Sequence, residues 1–208
     1  MDIIIKKKEE TNISYEQIIN LIHESFEERL NQGLQFTCSF MTAEDFEKRN
    51  TDGIVLVAID NKTNDLIGTA TIHIKTDEHG ILYGYSEYLA ISSKKKRCGI
   101  GTLLDKECER ICKKAKCEYI MCDTATEAKS SVKYHLKMGF KIVGLESYSS
   151  TNYFSYLFRK QLNKNSKWSS QIYCKFAYIK SFLRVKLLLK KNGSKTFLCK
   201  WYETCLKR

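Results

Sequence analysis

The sequence predicts an α/β sandwich that is followed by a basic C-terminal extension. Strand-like apolar runs alternate with amphipathic helical segments up to residue 162. A chain of 208 residues, 43% of them hydrophobic, is long and apolar enough to bury one sizeable core. The net charge of +11 arises entirely in residues 161–208, which carry twelve cations and one acid. We therefore predict a domain at 1–162 and a basic, helical appendage at 163–208.

The first half of the domain predicts one strand, two helices and three further strands. Residues 1–8 form a candidate edge strand, and Ser14 and Gln17 resemble a capping box at the start of a helix that Gly33 ends. A short second helix begins after Thr42. The three strands that follow are predicted at 53–60, 66–75 and 81–92.

The second half alternates helix and strand, which gives the complete order βααβββαβαββ. A helix begins near Ile100, and its predicted apolar face includes Leu103 and Cys108, with Asp105 on the opposite face. The later elements are a strand at 119–125, a helix at 127–139 and a closing pair of strands.

Cysteine usage predicts a reducing, cytoplasmic compartment. The chain has nine cysteines, and the first residues lack the long apolar segment of an export signal. The spacing of Cys108, Cys112, Cys117 and Cys122 fits no zinc pattern, so no metal site is predicted. These thiols are interpreted as small apolar core residues.

The turn after the predicted strand at 81–92 has the composition of an anion-binding site. Residues 94–97 are four consecutive cations, and Gly99 and Gly101 follow directly before a helix start. The N–H groups of a helix N-terminus and its dipole favour a bound phosphate. The Walker pattern is absent, and Leu104 stands where the dinucleotide fingerprint needs its third glycine. A solvated loop or a generic polyanion-binding patch is the alternative interpretation.

The segment KRCGIG (96–101) resembles the Arg/Gln-x-x-Gly-x-Gly/Ala signature of the GNAT superfamily of acyl-CoA-dependent N-acyltransferases. The step from Met138 through Gly139 to Phe140 and the order of elements extend the resemblance over residues 1–162. The helix before Phe140 is similar to that of phosphinothricin-type acetyltransferases, with a matching serine and histidine. Lys96 departs from the preferred Arg or Gln, and Ala128 replaces a common asparagine.

The resemblance implies a mixed, mostly antiparallel sheet flanked by helices and acetyl-CoA as co-substrate. It implies that backbone N–H groups near the end of the fourth strand hold the acyl carbonyl, while the glycine loop and the later helix hold the rest of the coenzyme. The residues so assigned are Leu89, Ala90, Ile91, Lys96, Arg97, Cys98, Gly99, Ile100, Gly101, Thr102 and Ser131.

Three side chains are candidates for the chemistry of acyl transfer. Glu87 precedes Leu89 by two residues, so strand alternation puts the two on one face, where Glu87 can act as general base. An ordinary edge carboxylate is the alternative. His135 and Tyr134 compete for protonating the leaving thiolate, since successive helix residues point about 100° apart. His73 and Tyr85 are candidates for lining the acceptor pocket.

We therefore expect a cytoplasmic N-acetyltransferase that moves an acetyl group to a primary amine of a small molecule, such as an amino acid analogue or amino sugar. A protein or peptide N-acetyltransferase and a non-catalytic acyl-CoA-binding module are the alternatives. The extension has three interpretations, which are packing on the domain or a dimer mate, contact with anionic lipid, and binding of an acidic substrate or nucleic acid. Nucleic acid is not the favoured partner.

Overall fold

The computed structural model describes residues 2–162 and 171–191, which contain seven strands and five α-helices. The elements are β1 (Ile3–Lys7), α1 (Tyr15–Asn31), α2 (Ala43–Arg49), β2 (Ile54–Asp60), β3 (Leu66–Thr76), β4 (Leu82–Ile91), α3 (Ile100–Lys114), β5 (Tyr119–Ala125), α4 (Lys129–Lys137), β6 (Lys141–Ser147), β7 (Phe154–Gln161) and α5 (Gln171–Lys191). The predicted α/β order from β1 to β7 is confirmed, as is the mostly antiparallel seven-stranded sheet.

The chain forms two compact units, residues 1–122 and 123–208. In the first unit the strand order is β1-β2-β3-β4-β5, and β1 is an edge strand as predicted. The pairs from β1 to β4 are antiparallel, whereas β4 and β5 are parallel. The predicted division at residue 162 concerns composition and charge, and it remains a prediction.

Strand β4 carries one extra residue relative to β3. Thr71 lies opposite Glu87 and Thr69 lies opposite Ala90, so two steps along β3 correspond to three along β4. Tyr88, inside this bulge, has a φ of 55°. Thr69 and Thr71 share a face of β3, which places Ala90 on the face of Glu87. The prediction that Leu89 shares that face by alternation is therefore wrong, because the bulge interrupts the alternation.

Pairing between β4 and β5 is confined to a short stretch. In the described register, residues 83–85 of β4 face residues 119–121 of β5. Strand β4 continues to Ile91 beyond that register. The bulged half of β4 therefore lies outside the paired stretch, on the strand that leads directly into the glycine loop.

Helix starts in the first unit follow local sequence signals. The Ser14 hydroxyl accepts a hydrogen bond from the Gln17 backbone N–H, and the Gln17 Oε1 accepts one from the Ser14 backbone N–H. This is the predicted capping box. Thr42 caps α2 in the same way through Asp45. These caps satisfy backbone donors that the first helical turn leaves without partners.

The predicted face of α3 needs two corrections. Leu103 is 38% exposed, and Asp105 is only 4% exposed. At 100° per residue, the buried arc of α3 runs from Ile100 through Leu104 and Cys112 to Asp105, and Leu103 lies outside it. Asp105 therefore lies on the buried side of α3 although it is polar.

The described thiols are free, and six of the seven are buried. Burial raises the pKa of Cys112 to about 12 and raises that of Cys108 well above its ordinary value. Both side chains therefore stay neutral in the core, as small apolar residues would. Cys98 is the exposed thiol among the seven and lies in the glycine loop.

In the second unit, β6 and β7 form an antiparallel pair and α5 packs on β6. The Ser181 hydroxyl donates to the Leu145 carbonyl at 2.6 Å and accepts from the Leu145 N–H at 2.9 Å. Leu145, Phe154 and Val185 form the buried centre of this contact.

Helical spacing in the extension predicts one apolar stripe, formed by Ile172, Phe176, Ile179, Leu183 and Leu187. The described members of this stripe do not lie on the face that packs. Phe176, Ile179 and Leu183 are exposed, whereas Cys174 and Val185 are buried. The described part of the structure does not include the side chains of Ile172 and Leu187, nor Trp168 and residues 192–208. Among the described residues, no helix is both long and apolar enough to cross a bilayer.

Candidate active site

The loop between β4 and α3 exposes a helix N-terminus. Arg97 and Gly99 both have positive φ values, 65° and 83°, and α3 begins at Ile100. Leu103 N–H donates to the Gly99 carbonyl at 3.1 Å, so the helical hydrogen-bond pattern of α3 starts at this pair. A Cβ at Gly99 would meet nothing within 4 Å, so glycine serves the left-handed backbone here and the space in front of the turn is open.

Two of the four consecutive cations are paired within the protein. Lys95 lies 3.3 Å from the Asp60 carboxylate, and Lys96 lies 3.4 Å from that of Glu28. Lys94 and Arg97 are exposed. The sequence interpretation assigned the whole row to an external anion, and the pairs of Lys95 and Lys96 correct it. These two lysines also fix the loop to β2 and α1.

Glu24 on α1 accepts hydrogen bonds from the first residues of the loop between β4 and α3. Its Oε1 accepts from the Ser93 N–H at 2.9 Å, from the Ser93 hydroxyl and from the Ser92 hydroxyl at 3.4 Å. The hydrogen bond from the Ser93 side chain is the main reason that the pKa of Glu24 is lowered. Sequence reasoning missed Glu24 because its partners lie 68 and 69 residues away, with no local pattern to link them.

The end of β4 offers backbone donors of unequal availability. The Ile91 N–H donates to the Ser25 hydroxyl at 3.3 Å, so it already has an acceptor on α1. Ala90 is buried on the same face as Glu87. Of the three predicted donors, the Ile91 N–H therefore already has an acceptor within the chain.

Glu87 lies beside a buried histidine. The His73 Nε2 is 3.4 Å from the Glu87 Oε2, and the Glu87 side chain is 32% exposed. The structure thus brings together a predicted base and a predicted pocket residue from neighbouring strands. Tyr88 follows Glu87, and burial, with a smaller contribution from the Glu87 charge, raises the pKa of Tyr88 to about 12.

Helix α4 presents its two candidate donors differently. His135 is buried, and its ring lies 5.5 Å from that of Phe140 and 5.1 Å from that of Phe158. Tyr134 and Ser131 are half-buried. Burial among aromatic rings is the environment of a packing residue, whereas Tyr134 retains an accessible surface.

Comparison with known families places this loop and sheet in context. The family model of the acetyltransferase (GNAT) family matches residues 15–140, which is more than half of the chain. The chain belongs to the GNAT acetyltransferase family. It is accordingly an acyltransferase that uses acetyl-CoA as co-substrate. A search of the curated proteins gives no match.

Solved structures share this fold at low identity. A chain of the NatC complex, crystallised with Gag peptide and CoA, has 19% identity and a TM-score of 0.62, with 78% of this chain and 100% of that chain covered. A candidate phosphinothricin N-acetyltransferase has 17% identity and a TM-score of 0.61, with 78% and 99% covered. A GNAT family acetyltransferase from Elizabethkingia anophelis, with acetyl-CoA bound, has 17% identity and a TM-score of 0.55, with 76% and 97% covered.

The loop fits the diphosphate of coenzyme A on its own chemistry. It combines a helix N-terminus, open space at Gly99 and the exposed cations Lys94 and Arg97. The helix N-terminus and the two cations stabilise phosphate oxygens, and the open space at Gly99 lets those oxygens approach the backbone. Within the described residues, no cluster of His, Cys, Asp or Glu side chains is arranged to hold a metal ion.

Replacing Glu24 tests whether the loop must be held in place. We expect Glu24→Ala to raise the Kd for CoA about threefold to tenfold, because the hydrogen bonds that order Ser92 and Ser93 are lost. Calorimetry with CoA at neutral pH measures this. Glu27→Ala is the matched control, since it removes an exposed charge from the same helix. Equal Kd values for the two variants would contradict the anchoring role.

The same anchor has a defined pH dependence. The pKa of Glu24 is lowered in the folded state from its ordinary value of 4.5. Its contribution to stability is therefore fully present above pH 4.5 and is lost as the pH falls through the lowered value. The stability difference between wild type and Glu24→Ala should shrink over that acidic range.

Proposed function

We propose that the protein transfers the acetyl group of acetyl-CoA directly to the primary amine of a small molecule, such as an amino acid analogue or amino sugar. The observation that carries this proposal is the place of Glu87, a half-exposed carboxylate directly before the bulge of β4. The resemblance of α4 to phosphinothricin-type acetyltransferases, through Ser131 and His135, supports the acceptor class.

Each proposed role follows from a requirement of acyl transfer. The acceptor ammonium must lose a proton, and Glu87 is the base placed to take it. Negative charge develops on the acyl oxygen, and the backbone N–H groups of Leu89 and Ala90 are the proposed donors toward it. The diphosphate end is assigned to the backbone of residues 96–102, with the Lys96 side chain paired to Glu28. Acetyl-CoA supplies the activated acyl group, and the protein supplies orientation and proton transfer.

A peptide or protein acceptor is the second candidate. It is favoured by the likeness to the NatC chain, whose crystals contained a peptide. The TM-score with that chain is 0.62, and the TM-score with the phosphinothricin-type enzyme is 0.61. The described free thiols support the reducing, cytoplasmic compartment that the composition predicts.

An assay that follows CoA release and identifies the product by its mass tests the acceptor class and the general base together. With acetyl-CoA and pooled small amines, we expect release by the wild type and a loss on the order of a hundredfold in kcat for Glu87→Gln. The pH dependence of kcat should change in that variant, while the affinity for CoA stays the same. Glu78→Gln, which alters an exposed turn carboxylate, is the control.

The outcomes separate the candidates. Turnover with peptides but not with amines would replace the acceptor class. Heat on binding CoA without turnover on either panel would exclude both acceptor classes. An unchanged pH–rate profile in Glu87→Gln would remove Glu87 from the base role.

The donor of a proton to the leaving thiolate is assigned to Tyr134. Its half-buried side chain contrasts with the buried, ring-packed His135 toward which the resemblance points. We expect Tyr134→Phe to lower kcat about tenfold with the fold intact, whereas His135→Phe should mainly change the unfolding temperature. Paired measurements of kcat and thermal unfolding test this. The reverse pattern would return the role to His135.

The exposed side of α5 is proposed to contact anionic lipid. Phe176, Ile179 and Leu183 form a stripe about 60° wide, with Lys175 and Lys186 along one side and Lys180 along the other. The sequence of α5 contains no acidic residue. Apolar side chains flanked by lysines match the border between acyl chains and acidic head groups.

Sedimentation with vesicles tests the lipid contact. We expect the wild type to pellet with vesicles that contain phosphatidylserine and to pellet less with pure phosphatidylcholine. A triple variant with serine at Phe176, Ile179 and Leu183 should stay in the supernatant, while Leu136→Ser, an exposed apolar change on α4, should not matter. Equal pelleting of wild type and triple variant would overturn the proposal, and concentration-dependent dimerisation that the triple variant abolishes would assign the stripe to a second copy.

A further inference from the structure

His73 is a buried histidine whose ring is contacted at both nitrogens. It lies on β3 opposite Tyr85 and is 4% exposed. Residues 71 and 73 of β3 face the same side as residues 85 and 87 of β4, so His73 and Glu87 are diagonal neighbours on one face. Their closest atoms, His73 Nε2 and Glu87 Oε2, are 3.4 Å apart.

Asn50 fixes which ring nitrogen of His73 carries a proton. The Asn50 Nδ2 donates to the Phe46 carbonyl at 2.6 Å, which sets the orientation of the amide because a carbonyl can only accept. The Asn50 Oδ1 therefore points toward the His73 Nε2, at 3.3 Å. An amide oxygen is likewise only an acceptor, so the His73 Nε2 must be a donor.

The other nitrogen of the ring lies near a second acid. The Asp52 Oδ1 lies 3.3 Å from the His73 Nδ1, and the Asp52 side chain is 83% exposed. The ring is also closely confined, since a Cβ at Gly53 would lie 2.7 Å from its Cε1. The imidazole is thus fixed in position, and its Nε2–H faces both the Asn50 Oδ1 and the Glu87 Oε2.

We propose that His73 is a positioning residue for Glu87. Its Nε2–H lies 3.3 Å from the Asn50 Oδ1 and 3.4 Å from the Glu87 Oε2, and the two acceptors share it, so the ring orients the Glu87 carboxylate. This inference rests on the proposed role of Glu87 as general base. A proton relay from Glu87 through His73 to Asp52 is not part of it, because the Nε2 already carries the proton that a relay would need to receive. Glu87 instead releases to solvent the proton that it takes from the acceptor amine, because its side chain is 32% exposed.

Two substitutions at one position separate positioning from mere packing. Glutamine can place an amide N–H where the histidine Nε2–H lies, whereas leucine fills the space without a donor. We expect His73→Leu to lower kcat about tenfold at unchanged KM for acetyl-CoA, because a hydrogen bond to a carboxylate is lost. His73→Gln should stay within about threefold of the wild type. Equal losses in the two variants would overturn the proposal.

A double-variant cycle tests whether His73 acts through Glu87. In a Glu87→Gln background, His73→Leu should lower kcat less than twofold further, since the carboxylate it orients is already gone. Multiplicative losses would overturn the inference. If Glu87→Gln alone is fully active, the base role falls and this inference falls with it. If Glu87→Gln is slow but His73→Leu is not, only this inference falls.

A spectroscopic measurement decides the point without turnover. In a ¹H–¹⁵N correlation spectrum of the wild type near neutral pH, the imidazole signals of His73 are identified by their loss in His73→Gln. The Nε2 should appear as a protonated nitrogen whose proton is shifted downfield, and Glu87→Gln should move that proton signal. An unprotonated Nε2, or a signal that is insensitive to Glu87→Gln, would overturn the proposal even if the His73 variants fold poorly.

Discussion

The extra residue of β4 between Glu87 and Ala90 is the constraint on which the candidate site depends. A positive φ at a residue with a Cβ costs roughly 1–2 kcal/mol, and Tyr88 adopts one at 55°. The surrounding packing has to hold it there, and the Tyr88 ring does pack edge-on against Phe46 of α2, with centroids 5.2 Å apart. Because of this bulge, Glu87 and Ala90 share one face while the strand still reaches the glycine loop in register with β3.

Local signals in the sequence were sufficient for the elements and for the loop. The capping boxes at Ser14 and Thr42 lie within four residues of their partners, and Gly99 marks a left-handed turn that few other residues adopt. The family resemblance rested on the glycine loop together with the step from Met138 to Phe140 and the order of elements, and the family match over residues 15–140 confirms it.

Contacts between distant segments could not be predicted in the same way. The bonds from Ser93 to Glu24 and from His73 to Glu87 join separate elements, and no periodicity encodes them. The bulge escaped prediction because tyrosine carries no preference for positive φ. The α3 face was assigned by residue type, so Leu103 was placed inside and Asp105 outside, although helix geometry puts Asp105 in the buried arc.

The accessible thiol in the glycine loop affects how this enzyme is assayed. Six of the seven described free cysteines are buried, and Cys98 is exposed between Arg97 and Gly99. A chromogenic disulfide reagent added to capture the liberated coenzyme will also react with Cys98 and attach a bulky adduct where the diphosphate is expected to sit. Continuous colorimetry would then inactivate the catalyst that it monitors, so quenched time points and a Cys98→Ser background give the sounder kinetics.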